Sequence, residues 1–305
     1  MNLFIIGNGF DKAHNIKSDY SYFIEFIKKK YRSIYGTDIE PAYNPPFPDV
    51  MHHGELSYDK KDTMEFLYAL LCDTDCGHNW SDLENALGRL NYNNFLEMDV
   101  ENFRDVYRNE DTTSAMSDVV GELLAYMQEW AEQIDIGKPA VRKRFAKLIE
   151  PDDVFLTFNY TRTLEIVYGI GNKRICHIHG VQGDDKLIFG HGDDIDENRL
   201  PFGAEAIVSL HECLRKNVIS AYNKNINFFN MLNEGIVENI YSYGFSFGNA
   251  DLYYIRQIMS QLNGAASCCL RQNGFPLKYD KDAFLKQQDI VRSCGFKGKF
   301  GKPFY

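Results

Sequence analysis

The sequence predicts an α/β protein with a parallel sheet flanked by helices and a mainly helical insertion after the first strand–helix unit. Short apolar runs without polar alternation, such as residues 2–6 and 154–158, are typical of strands buried on both faces. Helical patterns separate these runs. Alternation of strands and helices along the chain is typical of a parallel sheet.

The first strand, residues 2–6, ends at Gly7-Asn8-Gly9, and an amphipathic helical pattern begins near Asp11. A glycine turn between a strand and a helix is a common cradle for phosphate, because the backbone can approach closely and helix N–H groups face the anion. The dinucleotide pattern G-x-G-x-x-G is incomplete, since Lys12 stands in place of the third glycine. A tight turn with Asp11 at the helix start explains the same residues, so both interpretations stay open.

Residues from about 20 to 150 show mainly helical patterns, with a loop rich in Pro, Asn and Asp over residues 36–54. We therefore predict a discontinuous core of residues 1–20 and 151–305 and a helical insertion of residues 21–150. Cys72, Cys76 and His78 lie close together but lack a fourth ligand, so no metal site is predicted.

The centre of the chain reads as strand, turn, helix and strand. The strand at 154–158 ends at Asn159-Tyr160-Thr161, and the strand at 174–178 ends at His179-Gly180. In a parallel unit both turns lie at the carboxyl edge of the sheet, where ligands bind. Asn159 and His179 are therefore the candidate catalytic residues. His177, earlier on the same strand, is expected to lie deeper and to be structural.

The last part of the chain continues the alternation. Residues 204–234 read as helical, and Asp251 opens another helix. Residues 186–189 read as a short strand that ends at Gly190-His191, where His191 serves either as a ligand contact or as a turn residue. The predicted sheet comprises residues 2–6, 154–158, 174–178, 237–243 and 266–270.

The turn Gly244-Phe245-Ser246-Phe247-Gly248 has the G-x-S-x-G pattern of a nucleophile elbow. A hydrolase of that fold needs its histidine after the serine, and the last histidine in the chain is His211. The pattern therefore favours a strand-to-helix turn that approaches a ligand, with Ser246 as a hydrogen-bond donor.

Composition limits the partners. A formal net charge of −10 argues against general attraction to nucleic acid or anionic membrane. The chain has no apolar run long enough to span a bilayer and no leader pattern at its first residues. Seven irregularly spaced cysteines fit reduced thiols. We therefore expect a cytoplasmic protein with no membrane or nucleic-acid partner.

Several motifs in order resemble the bacteriophage abortive infection AbiH family. They are LFIIGNGFDKAHNIKSDYSYF, WSDLENAL, LTFNYTRTLE with ICHIHG, FGHG, and YSYGFSFGNADLYY. This family is in turn similar to the Rossmann-like, sirtuin/DHS-like fold that binds NAD. The resemblance implies that Asn159 and His179 are catalytic. It implies a nucleotide site of Gly7, Asn8, Gly9, Phe10, Asp11, Tyr160, Thr161, Gly180, His191, Gly244, Ser246 and Asp251.

The resemblance also implies an activity. Deacetylases of the sirtuin group carry paired CxxC motifs that this chain lacks, whereas sirtuin-like proteins of bacterial immunity hydrolyse NAD. We therefore expect NAD as substrate or ligand, no metal, and an NAD glycohydrolase acting in antiviral defence. The alternative is a non-catalytic module that binds a nucleotide or senses a phage component. The resemblance leaves room for a phage-derived trigger and for a homo-oligomer.

The residues fit this chemistry. Nicotinamide leaves NAD as a neutral group without a general acid, and an oxocarbenium-like ribose must be stabilised. A neutral histidine can take a proton from water or a ribose hydroxyl, and an asparagine amide can hold that group in place. Taken alone, His179 fits a satisfied histidine at a strand end and Asn159 a turn former; their shared edge favours a site.

Overall fold

The structure is a computed structural model that describes residues 1–72, 87–88, 94–184, 186–262, 267–271 and 281–301. The segment with Cys76, His78 and most of the WSDLENAL motif lies outside these residues. The chain divides into two compact units. One comprises residues 1–19, 131–188 and 217–305, and the other comprises residues 20–130 and 189–216.

The strands of the described residues are β1 (Asn2–Ile6), β2 (Pro48–Val50), β3 (Leu56–Tyr58), β4 (Val154–Thr157), β5 (Ile175–His177), β6 (Asn239–Tyr243), β7 (Ser267–Arg271) and β8 (Lys299–Phe300). Six of them form one parallel sheet in the order β5-β4-β1-β6-β7-β8. Numbered within the sheet alone, the order is 3-2-1-4-5-6, which is that of doubly wound dinucleotide-binding folds. The predicted parallel α/β sheet is therefore confirmed.

The register brings four strand ends to one level. Ile6 in β1 pairs with Thr157 in β4 and with Tyr243 in β6, and Thr157 pairs with His177 in β5. The turns that follow these strands therefore begin side by side at the carboxyl edge. In the sheet, β4 and β5 lie on one side of β1, and β6, β7 and β8 lie on the other side. The strand order therefore reverses at β1, which marks the topological switch point.

Helices cover both faces of this sheet. All five residues of β1 are buried, and they alternate between two cores: Leu3 and Ile5 belong to one, Phe4 and Ile6 to the other. One core includes residues of the helices Val218–Lys224, Ile226–Glu234, Leu252–Gln261 and Lys281–Ser293. The opposite core includes residues of the helices Asn8–Ala13, Lys143–Ala146 and Thr163–Tyr168. Burial on both faces explains why the strands read as unbroken apolar runs.

A polar network fixes the amino edge of the sheet. Asp153 is fully buried, and its Oδ1 accepts hydrogen bonds from the N–H and the side-chain amide of Asn2 at 2.7 and 3.0 Å. Asn2 Oδ1 in turn accepts from Asn239 Nδ2 at 2.9 Å. Arg174 Nε donates to the Asp153 carbonyl at 2.7 Å. These bonds satisfy buried polar groups of β1, β6 and the residue before β4, and so stabilise the register.

The second unit is mainly helical in its described residues. It contains the helices Tyr20–Tyr35, Lys60–Cys72 and Ala206–Cys213, most of the helix Phe103–Glu132, and the antiparallel hairpin of β2 and β3. The predicted loop at residues 36–54 thus includes a strand. This unit includes residues 189–216, which the sequence-based division assigned to the core. It does not include residues 131–150, which that division assigned to the insertion.

One further prediction needs correction. Residues 186–189 do not form a strand, because their backbone bonds go elsewhere: Ile188 N–H donates to His179 O, and Ile188 O accepts from the Tyr160 hydroxyl. Residues 204–234 are helical, as predicted, and form three helices. Asn217 accepts a hydrogen bond from Ser220 N–H and so caps the start of the second.

Two glycine turns touch at the carboxyl edge. Gly244 has φ +67°, and a Cβ there would lie 2.3 Å from Phe10 N and 2.4 Å from Gly9 C. A Cβ at Gly7 would lie 2.6 Å from Gly244 O. Glycine is required at both positions because backbone meets backbone.

We therefore predict that Gly244→Ala lowers the free energy of unfolding by at least about 2 kcal/mol, or prevents folding, since it adds strain as well as a clash. Gly171→Ala is the matched control, because its φ is −70° and no heavy atom outside its chain neighbours lies within 4 Å of the added Cβ. Urea denaturation of both variants measures the difference. Equal stability of the two would contradict this account of the turn.

Candidate functional site

The candidate site lies at the carboxyl edge of the sheet, around the switch point. The turns after β1, β4, β5 and β6 begin there at one level. They carry all the predicted site residues except His191, which belongs to the second unit.

The Gly7-Asn8-Gly9 turn uses its backbone donors within the chain. Gly7 N–H donates to Tyr243 O at 3.0 Å, and Gly9 N–H donates to Gly244 O at 2.9 Å. Asn8 Nδ2 donates to the Ser18 carbonyl, and Asn8 Oδ1 accepts from the Ser18 hydroxyl. The glycines thus serve the close packing of two turns, and in this conformation their N–H groups are not directed at a phosphate.

Phe10 lies in the core below the turn. It is fully buried, and its ring contacts those of His14, Phe145, Tyr168 and Tyr243 at centroid distances of 4.5–5.8 Å. Its position anchors the first helix to the sheet.

Asp11 is a buried carboxylate at this edge. It is 1% exposed, and it accepts hydrogen bonds from Thr161 Oγ1 at 2.6 Å and Thr163 Oγ1 at 2.8 Å. Burial raises the pKa of Asp11 to about 6, although the two hydroxyls, the Asn159 amide and the charge of His177 act to lower it. The pKa of this carboxyl, which lies beside the predicted catalytic Asn159, is therefore close to neutral pH.

Asn159 is held by its backbone, and its side-chain amide makes no hydrogen bond to the described residues. The residue is 6% exposed, and its N–H donates to Thr157 Oγ1 at 3.1 Å. The amide lies near enough to Asp11 to lower the pKa of that carboxyl, yet neither amide atom has hydrogen-bonding geometry with any described residue. A buried amide in this state is able to bind a polar ligand.

His179 pairs with Asp251. Its Nε2 lies 3.4 Å from Asp251 Oδ1, and the two side chains are 2% and 10% exposed. The aromatic rings of Phe158, Tyr160 and Tyr254 surround the imidazole at centroid distances of 5.4–6.4 Å. A carboxylate in this position stabilises an imidazolium, so the pair is able to accept a proton.

Two neighbouring residues shape the turns. Tyr160 is 5% exposed, and its hydroxyl donates to Ile188 O at 2.8 Å. Gly180 has φ +86°, and its N–H donates to His177 O at 3.1 Å. The left-handed conformation of Gly180 turns the chain directly after His179.

The turn after β6 combines strain with burial. Phe245 and Phe247 are buried in the core, and Phe247 holds a positive φ of 58°, which is unusual for an aromatic residue. Ser246 lies between them and is exposed, and Asp251 follows at the start of the next helix. The turn therefore presents Ser246 to solvent.

His191 is built into the second unit. It is fully buried, its Nε2–H donates to His211 O at 3.1 Å, and its Nδ1 accepts from Asp193 N–H at 3.2 Å. Burial, together with the neighbouring His211, lowers the pKa of His191 to about 4. These bonds describe a satisfied neutral ring, in keeping with the turn-residue interpretation.

One pair at the carboxyl edge was not predicted. His177 Nε2 lies 3.0 Å from Glu165 Oε1, and His177 Nδ1 lies 3.3 Å from Asn159 O. The prediction that His177 lies deeper than His179 was wrong: the His177 side chain is 11% exposed and that of His179 is 2% exposed. The strand β5 ends at His177, and its ring extends toward the helix Thr163–Tyr168. No sequence signal pointed to this pair, since a strand residue and a helix residue share no periodic pattern.

Among the described residues, no group of three His, Cys, Asp or Glu side chains is placed to hold a metal ion. None of the helices in the described part of the chain has the length and apolar character needed to cross a bilayer.

The second unit has a surface groove of about 1100 Å³ between the hairpin and the long helix. Its lining includes Phe47, Leu56 and Tyr107, which are 84%, 47% and 62% exposed. It contains none of the predicted site residues.

Comparison with known families identifies the motifs. A model described as bacteriophage abortive infection AbiH matches residues 3–270, which is most of the 305-residue chain. A match of this extent shows the family, so the assignment made from the motifs is confirmed. No curated protein and no solved structure matches the chain.

Asp11 makes stability depend on pH. Its folded pKa of about 6 is raised from 3.8, so the folded state binds the proton more tightly, and stability is lost as pH rises from about 4 to 6. The loss is about 3 kcal/mol. We expect Asp11→Asn to abolish this decline in urea denaturation across pH 4–7, while the exposed control Asp152→Asn keeps it. Parallel pH profiles for Asp11→Asn and the parent protein would refute the assignment.

His191 makes stability depend on pH in the opposite direction from Asp11. Its folded pKa of about 4 is lowered from 6.5, so the neutral ring stabilises the fold above pH 6.5, and this stability is lost as pH falls toward 4. The contribution is about 3 kcal/mol. We expect His191→Gln to remove this acid-side loss, and the exposed control His53→Gln to retain it. An unchanged acid-side loss in His191→Gln would contradict the prediction.

Proposed function

This chain belongs to the bacteriophage abortive infection AbiH family, and we propose that it acts in abortive-infection defence by binding NAD and hydrolysing it to nicotinamide and ADP-ribose. The site is the carboxyl edge of the sheet. Asn159 and His179 are the proposed catalytic residues.

The observation that carries the proposal is the Asn159 amide. The residue is 6% exposed, and neither its amide nitrogen nor its amide oxygen hydrogen-bonds to a described residue. A buried polar group without a partner costs about 1–3 kcal/mol. A ligand that offers both a donor and an acceptor, as a ribose hydroxyl does, would recover this energy.

The sheet supports a dinucleotide as the ligand. Its strand order is that of doubly wound folds that bind dinucleotides at the switch point. Asp11, Asn159 and His179 all follow strands that end at this point. The resemblance of the motifs to the sirtuin-like fold leads us to expect the nucleotide at the same edge.

His179 and Asp251 support hydrolysis. In the proposed reaction the bond between the ribose C1′ and nicotinamide breaks, and nicotinamide leaves with the electron pair. A water oxygen then bonds to C1′, and its proton passes to His179. Asp251, 3.4 Å from His179 Nε2, stabilises the resulting imidazolium. The proton is later released to solvent, which completes the hydrolysis.

We predict that the purified protein releases nicotinamide from NAD, and that His179→Ala and Asn159→Ala each lower the rate by about 10²–10⁴-fold. The double variant is expected to be scarcely slower than either single one, because the residues act as a unit. Chromatographic measurement of nicotinamide tests this. Binding of ADP-ribose, measured by calorimetry, should change much less.

The matched control is Asn239→Ala. Asn239 donates to Asn2 at the amino edge of the same sheet, so its loss is expected to affect stability and not turnover. Thermal unfolding of every variant separates lost chemistry from lost folding. A folded His179→Ala protein with the parental rate would exclude His179 as the base. ADP-ribose binding without nicotinamide release in the parent would instead favour a binding module.

A further inference from the structure

Three segments of the carboxyl edge meet at the His177 ring. Nε2 lies 3.0 Å from Glu165 Oε1, on the helix that follows β4. Nδ1 lies 3.3 Å from the carbonyl of Asn159, in the turn between β4 and that helix. Both facing groups are hydrogen-bond acceptors. Only a ring with protons on both nitrogens donates to both at once.

Charged groups lie close to the ring. Burial alone would raise the pKa of Glu165, but the hydrogen bond and charge of His177, helped by Arg162, hold it below its ordinary value. The same His177 charge acts to lower the pKa of Asp11. Arg162 Nη1 lies 3.8 Å from Glu165 Oε1. Glu165 thus contacts both the His177 ring and the guanidinium of Arg162.

The backbone of Asn159 is held from both sides. Its N–H donates to Thr157 Oγ1 at 3.1 Å, and its C=O accepts from His177. Its side-chain amide has no such bond to a described residue. These contacts therefore fix the backbone of Asn159, from which the side chain extends. They leave the amide nitrogen and oxygen able to bind a ligand.

We propose that Glu165 and His177 are positioning residues that hold the Asn159 amide in place for the ligand. This inference rests on the proposed function of Asn159. The Glu165–His177 pair acts through the Asn159 carbonyl and does not touch the substrate.

The test compares steady-state nicotinamide release across a variant set. His177→Ala and Glu165→Ala are expected to lower kcat by about 10²-fold with little change in KM, because a misplaced catalytic group loses about that factor. Glu165→Gln is expected to retain activity. The glutamine amide can donate to Nε2 while Nδ1–H still donates to the Asn159 carbonyl.

His14→Ala is the matched control. His14 is a buried ring of the same unit with contacts at both nitrogens, 2.7 Å to Phe10 O and 2.7 Å to the Tyr168 hydroxyl. Its loss is expected to lower the melting temperature while kcat of the folded protein stays near the parental value. Equal loss of kcat in His14→Ala and His177→Ala would show that His177 has only a structural role.

A second measurement is independent of turnover. Amide hydrogen exchange of Asn159 N–H, followed by NMR, is expected to be at least tenfold faster in His177→Ala and unchanged in Glu165→Gln. Phe158 N–H, which donates to Ile6 O at 2.9 Å, is the internal reference and should not change. Unchanged exchange at Asn159 in His177→Ala would overturn the positioning role. Absence of nicotinamide release in the parent would overturn only the proposed function.

Discussion

The contact between the glycine turn after β1 and the glycine turn after β6 sets the geometry of the carboxyl edge. Gly9 N–H donates to Gly244 O, and neither Gly7 nor Gly244 has room for a Cβ. Because the turns are locked backbone to backbone, the first helix starts at a defined place. Asp11 on that helix therefore reaches Thr161 and the other groups of the turn after β4.

The two edges of the sheet differ in whether their buried polar groups are hydrogen-bonded. At the amino edge, Asn2, Asp153 and Asn239 bond to one another, and that network holds the register. At the carboxyl edge, Glu165 Oε2 and the amide of Asn159 are buried without a hydrogen bond to the described residues. Unsatisfied polar atoms destabilise a fold unless a ligand meets them, and this contrast supports the proposal of a binding site at the carboxyl edge.

The fold could be predicted where burial leaves a simple pattern. Strands buried on both faces are mostly apolar, so β1 and β4 are visible in the sequence as apolar runs. Residues 186–189 show the limit of this rule. Leu187 and Phe189 are buried, but the backbone of Ile188 bonds to His179 O and to the Tyr160 hydroxyl. A hydrophobic pattern does not report such hydrogen-bond partners.

For the candidate site, the sequence by itself determined which residues follow the strand ends, because parallel strands with buried faces align those ends at one edge. This placed Asn159 and His179 at the edge. Only the tertiary structure decided the partners: Asp11 with Thr161 across 150 residues of chain, His179 with Asp251, and His177 with Glu165. The tertiary structure also placed the Phe10 ring in the hydrophobic core. Such pairings depend on how each turn bends and how each helix packs, and residue spacing along the chain does not encode either.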